Sequence, residues 1–229
     1  MTVNEVIELA AASGRHLLFA DEAGALLKAA GIPVIPCRVA LDEEDTVQAS
    51  AEIGYPVVLK VRSSEIVHKS DVGGVRLALT DECSVRSAYR EMMGTARMVD
   101  QRAQVIIQPM AGPGLEVLIG MTTDAQFGQV VAFGLGGIFV EVLDDITFRQ
   151  VPLQEKDAAD MLESIKGSAI FKGYRGGKPV DTNALTEIIL NISRLAEHHP
   201  RIREIDLNPV ITYPHGALVA DARIRCFLK

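Results

Sequence analysis

A chain of 229 residues, 48% hydrophobic and 23% charged, has ordinary globular composition and is long enough for one large domain or two lobes of roughly 100 residues each. Its net charge of -7 excludes an extended nucleic-acid surface, which needs Lys and Arg clustered along one face to displace counterions. Three cysteines, far apart at 37, 83 and 226, argue against a disulfide framework or a zinc site, and Glu5, Glu8, Asp21 and Glu22 stand where an export signal needs a cationic and then apolar start, so a reducing cytoplasm is the expected setting.

In chain order, Asp21 predicts the cap of a helix with Ala23, Leu26, Leu27 and Ala30 on its apolar face, closed by Gly31 and followed by a strand from Ile32 to Ala40. Asp42 predicts a second cap, for a helix that Gly54 and Pro56 stop after Ile53. The strand Val57-Val-Leu-Lys60-Val-Arg62 then sends Val57, Leu59 and Val61 to one face and Val58, Lys60 and Arg62 to the other. It runs into a polar loop with hydroxyls at Ser63 and Ser64, His68, Lys69 and the pair Gly73-Gly74, whose lack of Cβ atoms lets backbone amides approach a ligand. This stretch reads as a grip for a small anion, the alternative for Lys60 being a strand-edge charge that discourages aggregation. Val75 to Leu79 reads as a return strand, and Asp81 as the cap of a helix with Val85, Ala88, Tyr89, Met92, Met93 and Ala96 at helical spacing, the methionines serving as core.

Gln104 to Met110 is a strand broken by Pro109, and Ala111-Gly-Pro-Gly114 a flexible joint that divides the chain into lobes of 1–110 and 111–229. Strands are expected over 115–122, 128–133 and 138–143, with Gly134-Leu-Gly136-Gly137 as a tight connection. Helices over 155–166 and 184–198 follow, and the chain closes with a hairpin: 202–212, a turn at Tyr213-Pro-His-Gly216, and 217–226. Closing that turn symmetrically sets Asn208 opposite Asp221, with Asp206 on the face of Asn208. Oxygen donors without a nearby thiolate or imidazole suit Mg²⁺; a polar, solvated hairpin face is the alternative. Glu116 reads on its own as a solvent-facing strand residue, and His68 either as a loop hydrogen-bonder or as a nucleophile toward phosphorus. Neither GxGxxG after a strand nor GxxxxGK[ST] is present, so a bound nucleotide requires another fold.

Taken together, these stretches resemble the ATP-grasp family, and within it the β subunit of ADP-forming acetyl-CoA and acyl-CoA synthetases, relatives of succinyl-CoA synthetase. The resemblance spans nearly the whole chain: Lys60, Ser63 to Val75, Gln108-Pro-Met110, Glu116-Val-Leu-Ile-Gly120, Gly134 to Gly137, Gly173-Tyr-Arg-Gly-Gly177, Asp206-Leu-Asn208-Pro209 and Asp221-Ala-Arg223. It implies an α+β ATP-grasp fold, two α+β lobes enclosing a nucleotide cleft. Lys60, Lys69, Gly73 and Gly74 would meet the phosphates of ATP or ADP, Gln108, Met110 and Ala111 the adenine, and Glu116 the ribose. Asn208 and Asp221 would carry Mg²⁺, and His68 would pass a phosphoryl group to ADP while acyl-CoA, ADP and phosphate become acid, CoA and ATP. Asp206 departs from the glutamate of succinyl-CoA synthetases, which shortens its reach toward a metal. No Rossmann-type CoA-binding segment is present, so the resemblance implies a separate CoA-binding α subunit, or a fused synthetase of which this is one part. Two rival readings are a stand-alone ATP-grasp carboxylate ligase and a non-catalytic nucleotide-sensing module.

Overall fold

The computed structural model describes residues 1–66, 73–137, 145–173 and 177–227. Two helices open the chain, α1 (Val3–Ala12) and α2 (Ala20–Ala29). The first was not expected, although its signal is local: Thr2 Oγ1 accepts the N–H of Glu5 at 3.3 Å while the Glu5 carboxylate accepts the N–H of Thr2 at 2.7 Å, a capping box. Asp21 is not the cap of α2 but lies in its first turn, and Glu22 instead accepts the Phe19 N–H at 2.9 Å. Chain contacts form two units, one of residues 1–18, 25–34 and 113–229 and the other of residues 19–24 and 35–112. This grouping differs from contiguous lobes of 1–110 and 111–229, because the first stretch is stitched to the last: Leu18 donates to Ile224 at 3.0 Å and Cys226 to His16 at 2.7 Å.

The unit of residues 35–112 holds a four-stranded antiparallel sheet of β1 (Arg38–Ala40), β2 (Val57–Arg62), β3 (Val75–Leu79) and β4 (Gln104–Pro109), in the order β1-β4-β2-β3. The strand expected from Ile32 shrinks to Arg38–Ala40, since Pro33 and Pro36 cannot donate to a ladder. Helices α3 (Glu43–Ile53) and α4 (Glu82–Val99) cover one face. Both caps hold as read, Asp42 accepting from Asp45 N–H and Asp81 from Ser84 N–H, each at 2.8 Å. Val57, Leu59 and Val61 pack there with Val105, Ile107, Met92 and Met93, all buried. Val58, Lys60 and Arg62 take the opposite face.

On edge strand β3 the register slips between Val57 and Leu59 of β2, leaving Leu77 and Ala78 opposite one residue. Ala78 sits there at φ 55°, the left-handed region, and is exposed. Ala78→Gly removes a Cβ clash without losing burial, and is expected to raise stability by about 1 kcal/mol. A urea midpoint that stays put or falls would contradict this.

The other unit holds a six-stranded sheet of β5 (Leu115–Asp124), β6 (Gly128–Leu135), β7 (Ile146–Gln150), β8 (Ile202–Thr212), β9 (Ala217–Val219) and β10 (Ala222–Cys226). The order is β10-β8-β5-β6-β7, with β9 also on β8. Strand β7 was missed, and the strand expected over 138–143 lies outside the described residues. Helices α5 (Glu155–Ser164) and α6 (Thr182–His198) pack on one face, where Val117, Ile119, Met121, Ile205, Leu207 and Ile224 are buried. Between them a 3₁₀ turn, Lys166–Lys172, starts on the buried carboxylate of Asp145, which accepts the N–H groups of Lys166 and Gly167 at 2.8 Å each. Among the described residues no helix is long and apolar enough to cross a membrane.

Candidate functional site

In the unit of residues 35–112, Lys60 lies on β2 between Ile106 of β4 and Val75 of β3, only 6% exposed. Gln108, 7% exposed, is opposite Val58 and so occupies the same face one rung pair away. Two buried polar side chains on the face away from the helices make that face polar, the kind of surface that suits an anionic ligand. Met110, partly exposed, follows β4 with its N–H donating to the Pro56 carbonyl at 3.0 Å, and Ala111 is half-buried beside it in sequence.

Arg62 corrects the picture of two cations offered together. Its guanidinium forks onto Asp21 at 2.8 and 3.1 Å, donates to Gln104 at 3.0 Å and lies 3.8 Å over the Phe19 ring. That arginine holds the start of α2, not an anion. Ser63 is likewise engaged, donating to Asp100 at 2.6 Å and accepting the N–H groups of Glu65 and Ile66. The far end of the loop is tied as well: Val61 N–H donates to Gly74 at 2.8 Å, and Arg76 donates to the carbonyl of Gly73, which sits at φ 65°, at 2.7 Å. His68 and Lys69, the expected nucleophile and its neighbouring cation, lie outside the described residues.

In the other unit, Glu116 is exposed on β5, and its carbonyl accepts the Gly136 N–H at 2.8 Å. A Cβ on Gly136 would stand 2.9 Å from the Glu116 carbonyl carbon, and one on Gly134 2.8 Å from the Asp145 carbonyl oxygen. The run begins inside β6, with Gly134 and Leu135 in the strand, and its Gly136 packs closely on the backbone of Glu116.

The hairpin turn closes with Tyr213 N–H to the Gly216 carbonyl at 3.0 Å. Asp181, the cap of α6, holds it from below: its carboxylate accepts Gly216 N–H at 2.9 Å and Ala184 N–H at 3.0 Å, and these bonds, Gly216 first, keep it below the usual carboxylate range. Leu207 pairs with Ala222 and Val210 with Val219 in one register, so the residue across from Asn208 is Asp221, as the sequence predicts. Toward β5 the register slips: Val117 pairs with Val210 but Ile119 with Leu207, leaving Asn208 and Pro209 opposite the single Leu118. Pro209 has no N–H to give, so a bulge forms, and Leu207 and Val210 both keep their places in the buried face.

One face of β8 and β10 therefore carries two successive polar rungs, Glu204 opposite Arg225 and Asp206 opposite Arg223, and the same register carried just past the start of β10 sets Asp221 across from Asn208. Arg223, Arg225 and Glu204 were not anticipated on this face, although Arg223 stands two residues from Asp221 and alternation alone puts it there. Burial pushes the Asp206 carboxyl above its usual range, Arg223 opposing and the Glu204 and Asp221 charges adding to the rise. Among the described residues no group of three or more His, Cys, Asp and Glu is arranged around a metal position. One carboxylate and one amide remain, the short all-oxygen donor set that Mg²⁺ takes when nucleotide phosphates complete its shell. The residues fit that ion.

A family model described as the ATP-grasp domain matches residues 9–226. The β subunit of acetate–CoA ligase [ADP-forming] I from Pyrococcus furiosus is 46% identical over 223 residues, which cover 96% of each chain. Among solved structures, dinucleotide forming acetyl-coenzyme A synthetase 1 of Ca. Korarchaeum cryptofilum, in complex with coenzyme A and Ca-AMPCP, matches with a TM-score of 0.93 at 43% identity, over 98% of this chain and 99% of that one. A second structure of that enzyme, with coenzyme A and Mg-AMPPCP and its phosphohistidine segment pointing towards the nucleotide binding site, matches with a TM-score of 0.86 at 42% identity, over 98% and 100%.

Proposed function

The chain belongs to the ATP-grasp domain family, and from that membership we propose that it is the nucleotide-binding β subunit of an ADP-forming acyl-CoA synthetase, a ligase that moves a phosphoryl group between a histidine and ADP. The observation that carries this reading is the end-to-end match to an acetate–CoA ligase β subunit, 46% identical over 96% of both chains. Its setting is the cytoplasm, and its partner a CoA-binding α subunit in a hetero-oligomer.

The roles are those the family resemblance implies. Lys60 and Gln108 line the polar face of the smaller sheet; Lys60, with Lys69 and the amides of Gly73 and Gly74, is read as taking the phosphates, and Gln108, Met110 and Ala111 the adenine. Glu116, held by the glycine run, takes the ribose. Asn208 and Asp221 would hold Mg²⁺, which would supply positive charge against the nucleotide phosphates. His68 is the proposed phosphoryl carrier, a reading supported by the phosphohistidine segment that the Korarchaeum enzyme points towards its nucleotide binding site. In the ATP-forming direction an ADP β-phosphate oxygen attacks the phosphorus on His68; the P–N bond breaks and its electron pair returns to the imidazole.

The test is reconstitution. ATP formation from acyl-CoA, ADP and phosphate is expected only when this chain and a CoA-binding α subunit are mixed. Turnover by this chain alone would replace the proposal with a stand-alone carboxylate ligase, and nucleotide binding without turnover under any partner with a sensing module.

A further inference from the structure

The strand that carries Lys60 runs directly into the segment that carries His68, and an anchor holds each end of that segment. At the first, the Ser63 hydroxyl donates to the Asp100 carboxylate at 2.6 Å, and its oxygen accepts the N–H groups of Glu65 at 3.1 Å and Ile66 at 3.2 Å. One side chain thus folds residues 63–66 into a turn and ties that turn to the residue that caps the C-terminal end of α4. Ser63 is buried, and Ile66 joins the core of Leu59, Val61 and Met92. The same hydroxyl, ahead of the N–H groups of Arg102 and Ser64, keeps Asp100 below the usual carboxylate range, so the acceptor is charged at neutral pH. At the second anchor, Arg76 donates to the Gly73 carbonyl at 2.7 Å and lies 3.5 Å from Glu91 of α4, while Val61 N–H donates to the Gly74 carbonyl at 2.8 Å. The two ends are unequal, because His68 stands two residues past Ile66 and five before Gly73. Two residues span at most about 7 Å of extended chain, so the first anchor governs where the imidazole can go.

We propose that Ser63 and Asp100 are positioning residues for phosphoryl transfer: the bond between them sets the distance and angle at which the His68 imidazole meets the terminal phosphate, and neither residue touches the nucleotide. This rests on the reading of His68 as the phosphoryl carrier. A hydroxyl has one proton to give, and that of Ser63 goes to a carboxylate, which leaves none for a phosphate. What Ser63 supplies instead is register. Lys60 and Ser63 are three residues apart on one chain, so a fixed turn at Ser63 fixes the imidazole relative to the cation that would hold the phosphates. In-line attack on phosphorus tolerates little error, and a misplacement of about 1 Å can cost about 10²-fold in rate.

The test is single-turnover labelling of the full chain by γ-labelled ATP at saturation, beside the calorimetric Kd for a non-hydrolysable ATP analogue. Ser63→Ala is expected to label at least about tenfold more slowly than wild type with a Kd within about twofold, and Ser63→Thr, which keeps the hydroxyl, to recover most of the rate. Asp100→Ala is expected to match Ser63→Ala, and the double variant to be no slower than either, because the same bond is lost in all three. A bond that served stability alone would lower the unfolding midpoint and leave the rate at saturating ATP where it was. A folded Ser63→Ala variant that labels at the wild-type rate therefore overturns the inference, and a loss of affinity of about tenfold in step with the rate does so too, by making Ser63 a nucleotide contact. Should Ser63→Ala not fold, Asp100→Ala, at a partly exposed position, decides by the same two readings. A wild-type chain that takes no acid-labile label removes the reading of His68 and this inference with it, whereas equal label on wild type and Ser63→Ala removes the inference alone.

Discussion

His68→Asn is expected to bind nucleotide as the wild type does and to lose ATP formation in the presence of the α subunit by at least about 10³-fold, roughly 4 kcal/mol of barrier. The size of the effect follows from what is removed: an amide cannot form the P–N bond, so the covalent route closes and is not merely slowed. Binding is expected to survive because the proposed phosphate contacts include other groups, Lys60 among them. Attack also requires a neutral imidazole. The decisive measurement is acid-labile, base-stable label from γ-labelled ATP on this chain, compared between wild type and variant. Equal labelling, or full turnover by the variant, removes the histidine relay from this protein.

Lys60→Ala is expected to weaken ATP binding by about 2 to 3 kcal/mol, some 30- to 150-fold in Kd. Lys60 is 6% exposed on an inner strand of the sheet, so a contact of its ammonium with a bound phosphate would be little screened. Truncation also leaves a cavity, and Lys60→Met, which keeps the stem and removes the charge, isolates the electrostatic part. Calorimetry is the check: unchanged affinity in a folded Lys60→Met variant would show that the cation belongs to the core of the sheet and not to the nucleotide. Arg62, by contrast, is expected to matter for stability and hardly for affinity, since Asp21, Gln104 and Phe19 already occupy its guanidinium.

Much of this protein was legible because the deciding forces are local. Asp42 and Asp81 cap their helices through bonds to backbone three residues on, and any reader of the sequence has both partners in view. The Thr2 and Glu5 box was equally available and was overlooked. The register that puts Asn208 across from Asp221 needs only a turn at Tyr213 to Gly216 and the strict alternation of strands. Recognition of the family rested on motifs of this local kind, spread over nearly the whole chain.

Tertiary structure decided what depends on partners distant in sequence. Arg62 looked like a second phosphate ligand because alternation places it beside Lys60, but a guanidinium goes to the carboxylate that folding brings nearest, and Asp21 is 41 residues away. The grouping of residues 1–18 with the C-terminal unit comes from backbone bonds such as Leu18 to Ile224, which no periodicity announces. Even at the hairpin, the sequence by itself determined which residues face each other but not the bulge at Asn208 and Pro209. That bulge arises because β5 demands Leu207 and Val210 in the same buried face while Pro209 has no N–H for the ladder, a conflict that exists only once the third strand is in place.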